Sequence, residues 1–221
     1  MRIFKALLFA LAVAPSISNA QMKGMPTVEY MPTLLMSPQV QQDLHLSPAL
    51  AQQEQGLIMQ AGMKMLPMLQ QKQNANREQM AEQMKAAFMS MQNEIVRPLN
   101  AAQRARLHQL TLQMLGPVAL AQPNVVRALK LTAAQQSRIN EVVATSGRET
   151  LGHMPKGGPG QNIMAQAQEM RKAQNRSRAI SEQKVNQILT SAQRRQWDQM
   201  QGRKLPGVAD FSGLGSMFGG M

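Results

Sequence analysis

Apolar residues recur three and four positions apart along most of the chain, which is the spacing of one face of an α-helix. The stripes are Leu50, Glu54, Leu57, Ala61, Met65 and Met68; Met80, Met84, Ala87, Met91 and Ile95; Leu107, Leu110 and Met114; Ile139, Val142, Val143 and Ser146; and one from Ile163 to Ile188. Pro67 is expected to kink or end the first helix, and Gly116-Pro117 to end the third. Because β-branched residues are few and Gln and Ala abundant, the fold is predicted to be all-α.

The stripe between Ile163 and Ile188 is unusually polar, since Gln174, Ser177 and Ser181 occupy three of its positions. A helix with so weak an apolar face cannot build a deep core by itself. It is therefore expected to need a partner, and the helices as a group are expected to leave apolar strips exposed.

Four short motifs mark expected helix starts. They are Leu131-Thr132-Ala133-Ala134-Gln135, Leu189-Thr190-Ser191-Ala192-Gln193, Leu99-Asn100-Ala101-Ala102-Gln103, and Leu46-Ser47-Pro48-Ala49-Leu50, which lacks the glutamine. The Thr, Asn or Ser side chain accepts a hydrogen bond from an N–H of the first turn. The glutamine reaches back to the N–H of that residue, which completes a capping box.

The motifs fall into two tandem units. Pro38, Val40, Leu44 and Leu46 match Pro123, Val125, Leu129 and Leu131 at one constant offset, and residues 95–103 match residues 185–193 at a slightly larger one. The repeat predicts two tandem helical-hairpin units with kinked helices, at residues 37–116 and 122–202. Residues 21–36 are predicted to form a flexible N-terminal segment, and the Gly-rich residues 203–221 a disordered tail.

The first twenty residues have the pattern of a cleavable signal peptide. Arg2 and Lys5 supply positive charge, and an apolar run continues to Val13, too short to span a bilayer. Ser18-Asn19-Ala20 then offers the small-x-small cleavage pattern. An uncleaved membrane anchor is the alternative, but the pattern favours export to the periplasm as a soluble protein.

Composition restricts how such a protein can be stabilised. It has no cysteine, so no disulfide can hold the fold together, and aromatic residues make up only 3% of the chain. Methionine is abundant instead, at 20 residues. The formal net charge is +12, and the loss of Arg2 and Lys5 with the leader would leave +10, concentrated in the second half.

These features together resemble the Spy/CpxP family of envelope-stress proteins. The second unit matches best, through the motif at Leu131 and the run Val185-Asn186-Gln187-Ile188-Leu189-Thr190-Ser191-Ala192-Gln193-Arg194. The resemblance covers both units, about 160 residues, and Ser47, Leu50 and Asn100 depart from the pattern. Family members usually carry one motif pair and dimerise into a curved cradle. Two pairs in one chain therefore imply a single-chain pseudo-dimeric cradle.

The resemblance implies protein binding, since the family includes an ATP-independent chaperone, an inhibitor of a sensor kinase and metal-responsive relatives. Methionine side chains adapt to partners of varied shape, and basic side chains attract acidic clients or anionic lipid. The candidate client-binding residues are Met80, Met84, Met91, Met170, Arg171, Lys172, Arg176 and Arg178. The alternative is that these methionines fill the core and the basic residues form a solvated helix face.

The sequence offers little for catalysis or for a cofactor. It has no Gly-rich phosphate loop, no Gly-x-Ser-x-Gly and no His-Glu-x-x-His, and its three histidines lie far apart. Zinc is therefore not expected. Weak candidates for Cu(I), with packing as the alternative, are Met63, Met65, Met89 and Met91. Nucleic-acid binding is disfavoured, because the basic run has no interleaved aromatic residues.

The sequence thus favours an ATP-independent periplasmic holdase-type chaperone that binds unfolded or partly folded envelope proteins. The alternative is an envelope-stress or metal-responsive regulator that binds a membrane sensor. Neither function is enzymatic.

Overall fold

A computed structural model describes residues 28–70, 77–152 and 163–208 of the chain. All regular elements in these ranges are helical, which confirms the predicted all-α class. None of the helices in these ranges combines the length and the apolar character needed to cross a membrane. The predicted signal peptide, the loop at residues 153–162 and most of the predicted tail lie outside the described residues.

Eight α-helices and two 3-10 helices occupy the described ranges. The α-helices are α1 (Pro38–Asp43), α2 (Pro48–Gln70), α3 (Arg77–Val96), α4 (Ala101–Leu115), α5 (Pro123–Ala128), α6 (Ala133–Gly152), α7 (Ile163–Ile188) and α8 (Ser191–Gln201). The 3-10 helices are Pro32–Met36 and Gly116–Ala121. The chain divides into two compact units between Thr111 and Leu112, within α4. Their described parts, residues 28–111 and 112–208, are unit 1 and unit 2 below.

Both units have the same order of elements. Unit 1 starts with the 3-10 helix Pro32–Met36 and the short helix α1, followed by the long helices α2 and α3, which contact each other. Unit 2 repeats this order with Gly116–Ala121, α5, α6 and α7. In each unit the 3-10 helix packs against both long helices, so it closes one side of the helix pair.

The short helix of each unit ends in the same turn. His45 after α1 and Lys130 after α5 both have positive φ, 51° and 49°. In unit 1 the N–H of Leu46 donates to the carbonyl of Gln41 at 2.9 Å, and unit 2 has the matching bond at 3.0 Å. This is the Schellman arrangement, which satisfies carbonyls at the helix end. Residues other than glycine rarely adopt positive φ, so its occurrence at matched positions supports the tandem repeat.

Residues 28–36 do not form the flexible segment that was predicted for residues 21–36. Leu34 and Leu35 are fully buried. The N–H of Tyr30 donates to Gln92 Oε1 at 3.0 Å, which fastens the start of this stretch to α3. The stretch is held because it fills the unit 1 core and its backbone donors find partners there.

The repeat therefore begins earlier than the sequence analysis placed it. Pro32 and Leu35 match Pro117 and Leu120 at the same offset that relates Pro38 to Pro123. Leu35 and Leu120 are both buried, and both prolines begin or nearly begin a 3-10 helix. The 3-10 helix is thus the first element of each unit.

The cores of the two units use matched positions. Residues buried in both are Val40 with Val125, Leu44 with Leu129, Ile95 with Val185, Leu99 with Leu189, and Leu107 with Trp197. Ser177 and Ser181 of the polar stripe of α7 are buried as well, and Ser177 Oγ lies 2.8 Å from Ser146 Oγ of α6. The predicted need of α7 for a partner is met by α6.

Residues 203–208, predicted to belong to a disordered tail, are placed in unit 2. The side chain of Gln113 donates to the carbonyl of Arg203 at 2.8 Å and accepts from the N–H of Leu205 at 3.0 Å. Val208 is buried. The Gly-rich composition predicted disorder, but the buried Gln113 side chain and the buried Val208 hold these six residues in place.

Gly116 occupies a position that admits no other residue easily. It begins the second 3-10 helix with φ of 52°, and a Cβ on it would lie 2.8 Å from Arg178 Nη2. The Arg178 guanidinium donates to the carbonyls of Met114, at 2.6 Å, and Gln113, and so caps the end of α4. Residue 116 must adopt positive φ and must leave room for the Arg178 guanidinium beside its Cα.

We expect Gly116→Ala to lower the free energy of unfolding by about 2 kcal/mol, because it strains the backbone and displaces the Arg178 guanidinium. Urea unfolding of the purified protein measures this loss. Gly56→Ala on α2 is the control, since a Cβ there meets nothing within 4 Å and alanine favours a helix. An equal effect of the two substitutions would contradict the account of Gly116.

Candidate functional site

The repeated motifs form capping boxes at the starts of their helices. Thr190 Oγ1 accepts from the N–H of Gln193 at 3.2 Å, and Gln193 Oε1 accepts from the N–H of Thr190 at 2.9 Å. The motifs at Asn100 and Thr132 make the same reciprocal pair. In the first motif Ser47 caps α2 without a glutamine, by accepting one N–H of the first turn.

In unit 2 the glutamines also join the two motifs to each other. Gln193 Nε2 donates to the carbonyl of Leu129 at 3.2 Å, and Gln135 Nε2 donates to the carbonyl of Ile188 at 3.0 Å. The two amides also bond directly, at 2.8 Å in one direction and 3.2 Å in the other. Each glutamine therefore caps its own helix and holds the opposite segment.

Unit 1 has one glutamine at the corresponding junction. Gln103 Nε2 donates to the carbonyl of Leu44 at 3.3 Å, which matches the bond from Gln193 in unit 2. Leu50 stands at the position of Gln135, so no amide pair can form. The junction of unit 1 thus has fewer polar connections than that of unit 2.

A shallow pocket lies at the unit 1 junction, lined in part by His45, Asn100 and Gln103. Its wall includes an ion pair in which Arg106 Nε donates to Asp43 Oδ2 at 2.6 Å. This pair ties α1 to α4 within unit 1. Because the two charges neutralise each other, the pocket presents no clear charge complementarity to an ionic ligand.

Among the described side chains of unit 1, the most exposed large apolar ones are methionines. Met59 is 56% exposed and Met63 is 67% exposed on α2, and Met89 is 47% exposed on α3. Met59 and Met63 are one turn apart, away from the buried stripe that contains Ala61. Core packing therefore does not account for these three side chains. Met59 was not among the residues predicted to bind clients, although its position off the apolar stripe was a usable signal.

Of the methionines predicted to bind clients, Met80, Met84 and Met170 have side chains outside the described ones, and Met91 is half-buried. The side chain of Met65, a candidate for Cu(I), also lies outside them, so copper binding stays a prediction. Among the described residues no group of three or more His, Asp and Glu side chains is arranged to hold a metal ion.

Three of the four predicted basic client-binding residues are exposed on α7, namely Arg171, Lys172 and Arg176. Lys172 Nζ lies 2.9 Å from Glu169 Oε1, and both side chains are exposed. An exposed ion pair of this kind contributes little to stability and leaves both charges facing solvent. The basic face of α7 is therefore available to an approaching partner.

Arg178 has a different role from the client binding predicted for it. Its Nε donates to Glu182 Oε1 at 2.9 Å, and its other nitrogens donate to the two carbonyls at the end of α4. A guanidinium with these partners holds α7 against the end of α4 rather than facing solvent. Its helical spacing from Arg171 could not reveal this, because the carbonyls belong to a distant segment.

Comparisons of the chain with protein-family models, with curated proteins and with solved structures gave no significant match. The resemblance to the Spy/CpxP family therefore rests on the motif residues themselves.

Proposed function

We propose that the protein is an ATP-independent holdase-type chaperone of the periplasm that binds unfolded or partly folded envelope proteins. The observation that carries this proposal is the exposure of Met59, Met63 and Met89 on the long helices of unit 1. Scattered exposed apolar residues are ordinary, and Val118 and Ile180 of unit 2 are exposed too, but the three described in unit 1 are all methionine. An unbranched thioether side chain adapts its shape, which suits clients without a fixed sequence or register.

The exposed basic residues of α7 give a second, independent reason for the proposal. Arg171, Lys172 and Arg176 carry three positive charges on one exposed stretch of helix. Such charges attract acidic segments at a distance and raise the rate of encounter more than the final affinity. Salt screens this attraction beyond roughly 8 Å at physiological ionic strength. Capture of clients should therefore slow as salt increases.

We expect substoichiometric to equimolar amounts of the protein to suppress aggregation of an unfolded test client without ATP, as measured by light scattering. Replacing Met59, Met63 and Met89 together by Gln removes the adaptable apolar surface and keeps helix-forming residues of similar length. Roughly fivefold more of this variant should be needed for equal suppression, which corresponds to about 1 kcal/mol.

The matched control replaces Gln52 and Gln60, exposed polar residues on the same helix α2, by Ala. This control should suppress aggregation as well as the unmodified protein. A third variant with Gln at Arg171, Lys172 and Arg176 should capture clients more slowly and lose its sensitivity to salt. If several unrelated clients aggregate as fast with the protein as with an inert one, the proposal is wrong.

A further inference from the structure

Glu54 is fully buried in unit 1 without a partner. Its exposed fraction is 0%, and neither carboxylate oxygen has a hydrogen-bond partner. It lies in the second turn of α2, on the same face as the buried Ala61. An ionised carboxylate in such surroundings is costly, because it loses its hydration and gains no compensating bond.

The second unit shows what this position holds otherwise. The offset that relates Pro38 to Pro123 carries Glu54 onto Ile139, which is also fully buried, within the apolar core of unit 2. Unit 1 therefore has a carboxyl group at a core position that unit 2 fills with a hydrocarbon side chain.

The charged groups on neighbouring elements have other partners. The 3-10 helix Pro32–Met36, which packs against α2, contains no titratable residue. On α3, Glu94 lies 3.3 Å from Lys64 of α2, and Asp43 of α1 pairs with Arg106 of α4. None of these groups bonds to Glu54.

Other titratable groups of unit 1 are engaged elsewhere or exposed to solvent. The Tyr30 ring packs edge-on against His108 of α4, with ring centroids 6.2 Å apart. Burial raises the pKa of Tyr30, with a smaller contribution from Glu29, and burial lowers the pKa of His108. Arg104 donates to a backbone carbonyl. His45 and Arg97 are exposed.

The remaining charged residues of α3 lie far from Glu54 along the helix pair. A connection of six residues, together with the contact between Lys64 and Glu94, requires α2 and α3 to run antiparallel. Glu54 lies about 15 Å from Lys64, towards the start of α2. Because α3 runs in the opposite direction, its residues 77–85 extend from Glu94 towards the end of α2, away from Glu54.

We propose that Glu54 makes unit 1 a pH-responsive half of the protein. Ionisation of the carboxyl group drives a local opening of α2 away from the unit 1 core, which exposes the apolar side chains beneath it, while unit 2 remains folded. The driving force is hydration of a carboxylate that has no partner in the closed form.

The direction of the pH effect follows from the two protonation equilibria. Burial raises the pKa of Glu54 to about 7 from its ordinary 4.5, and the group regains the ordinary value when α2 opens. Below the ordinary pKa both forms are protonated, so nothing favours opening. Between the two values only the open form ionises, and the opening constant rises by up to about tenfold per pH unit. Above the raised pKa the closed form ionises too, and the effect levels off.

Hydrogen exchange measured by mass spectrometry on the full protein tests the proposal. The quantity to compare is the equilibrium constant for local opening of α2 divided by the same constant for α6. Taking this ratio cancels the intrinsic dependence of amide exchange on pH. This ratio should rise roughly fiftyfold between pH 5 and pH 8 in the unmodified protein. It should stay flat in Glu54→Gln, which cannot ionise. Glu94→Gln, which removes an exposed carboxylate from the same unit, should keep the rise.

A buried glutamine amide also lacks partners and could hold α2 open at every pH. Glu54→Ile therefore serves as a second variant, because it copies Ile139 and should keep α2 closed throughout. A flat ratio in the unmodified protein, or a rise that persists in Glu54→Ile, would overturn the proposal. So would α6 opening in parallel with α2. The readout is exchange rather than client binding, so its outcome is independent of the proposed function.

Discussion

Replacing Ile139 by Glu is expected to destabilise unit 2 by about 5 kcal/mol at pH 8. Ile139 is fully buried in a cluster of apolar side chains that includes Val185 and Trp197. The pKa of about 7 at the matched position, Glu54, indicates a penalty of roughly 3 kcal/mol for ionisation, at 1.36 kcal/mol per pH unit. The lost contacts of the isoleucine side chain add about 2 kcal/mol at any pH.

The penalty of the introduced carboxylate should depend on pH in a defined direction. The pKa of the introduced carboxyl group would be higher in the folded than in the unfolded protein. The penalty for its ionisation is therefore small near pH 4.5 and grows as pH rises towards 7. Trp197 is the sole tryptophan of the chain and lies in this core, so its fluorescence reports urea unfolding of unit 2. The control is Val118→Glu, which adds the same charge at an exposed position. If Ile139→Glu lowers the free energy of unfolding by the same amount at pH 5 and at pH 8, burial of an ionised carboxylate is not the cause of the loss.

The helix starts could be predicted from the sequence because capping is a local interaction. The four predicted capping residues are Ser47, Asn100, Thr132 and Thr190, and α2, α4, α6 and α8 each begin at the next residue. Both the acceptor and the returning glutamine lie within four residues, so no tertiary contact is needed to form the box. The bonds of Gln135 and Gln193 to the opposite segment are not local, and no spacing rule indicates them.

The start of each unit escaped prediction because its first element is short. A 3-10 helix of five or six residues gives no helical stripe, and the match of Pro32 and Leu35 to Pro117 and Leu120 was the available signal. The positive φ of His45 also has no local signal, since neither glycine nor asparagine occupies that position. Such turns are fixed by the packing on either side of them.

Exposure of individual side chains could be predicted only in part. Glu54 was included in an apolar stripe, but spacing alone does not tell whether an ionisable residue on such a stripe is buried. Its match to Ile139 was the stronger signal, because that residue fills a core position in the other unit. Met59 illustrates the reverse case, since it lies off the stripe and is exposed.

Gln193→Ala is expected to lower the free energy of unfolding by about 3 kcal/mol. The substitution removes the bond from the N–H of Thr190, the bond to the carbonyl of Leu129 and both bonds with Gln135. A typical hydrogen bond contributes about 1 kcal/mol net, and partners left without a bond add to the loss. Gln103→Ala removes one capping bond and one bond to Leu44, so about 1 to 2 kcal/mol should be lost.

Urea unfolding compares these two variants, with Trp197 fluorescence for unit 2 and far-ultraviolet circular dichroism for both. Gln135→Leu copies Leu50 of unit 1 and removes the matching set of bonds, namely those with Thr132, Ile188 and Gln193. Its loss should be similar to that of Gln193→Ala. A double-mutant cycle with Gln193→Leu and Gln135→Leu should give a coupling of about 1 kcal/mol. Equal losses at Gln193 and Gln103, or no coupling in the cycle, would show that the amide pair does not stabilise the junction of the two motifs.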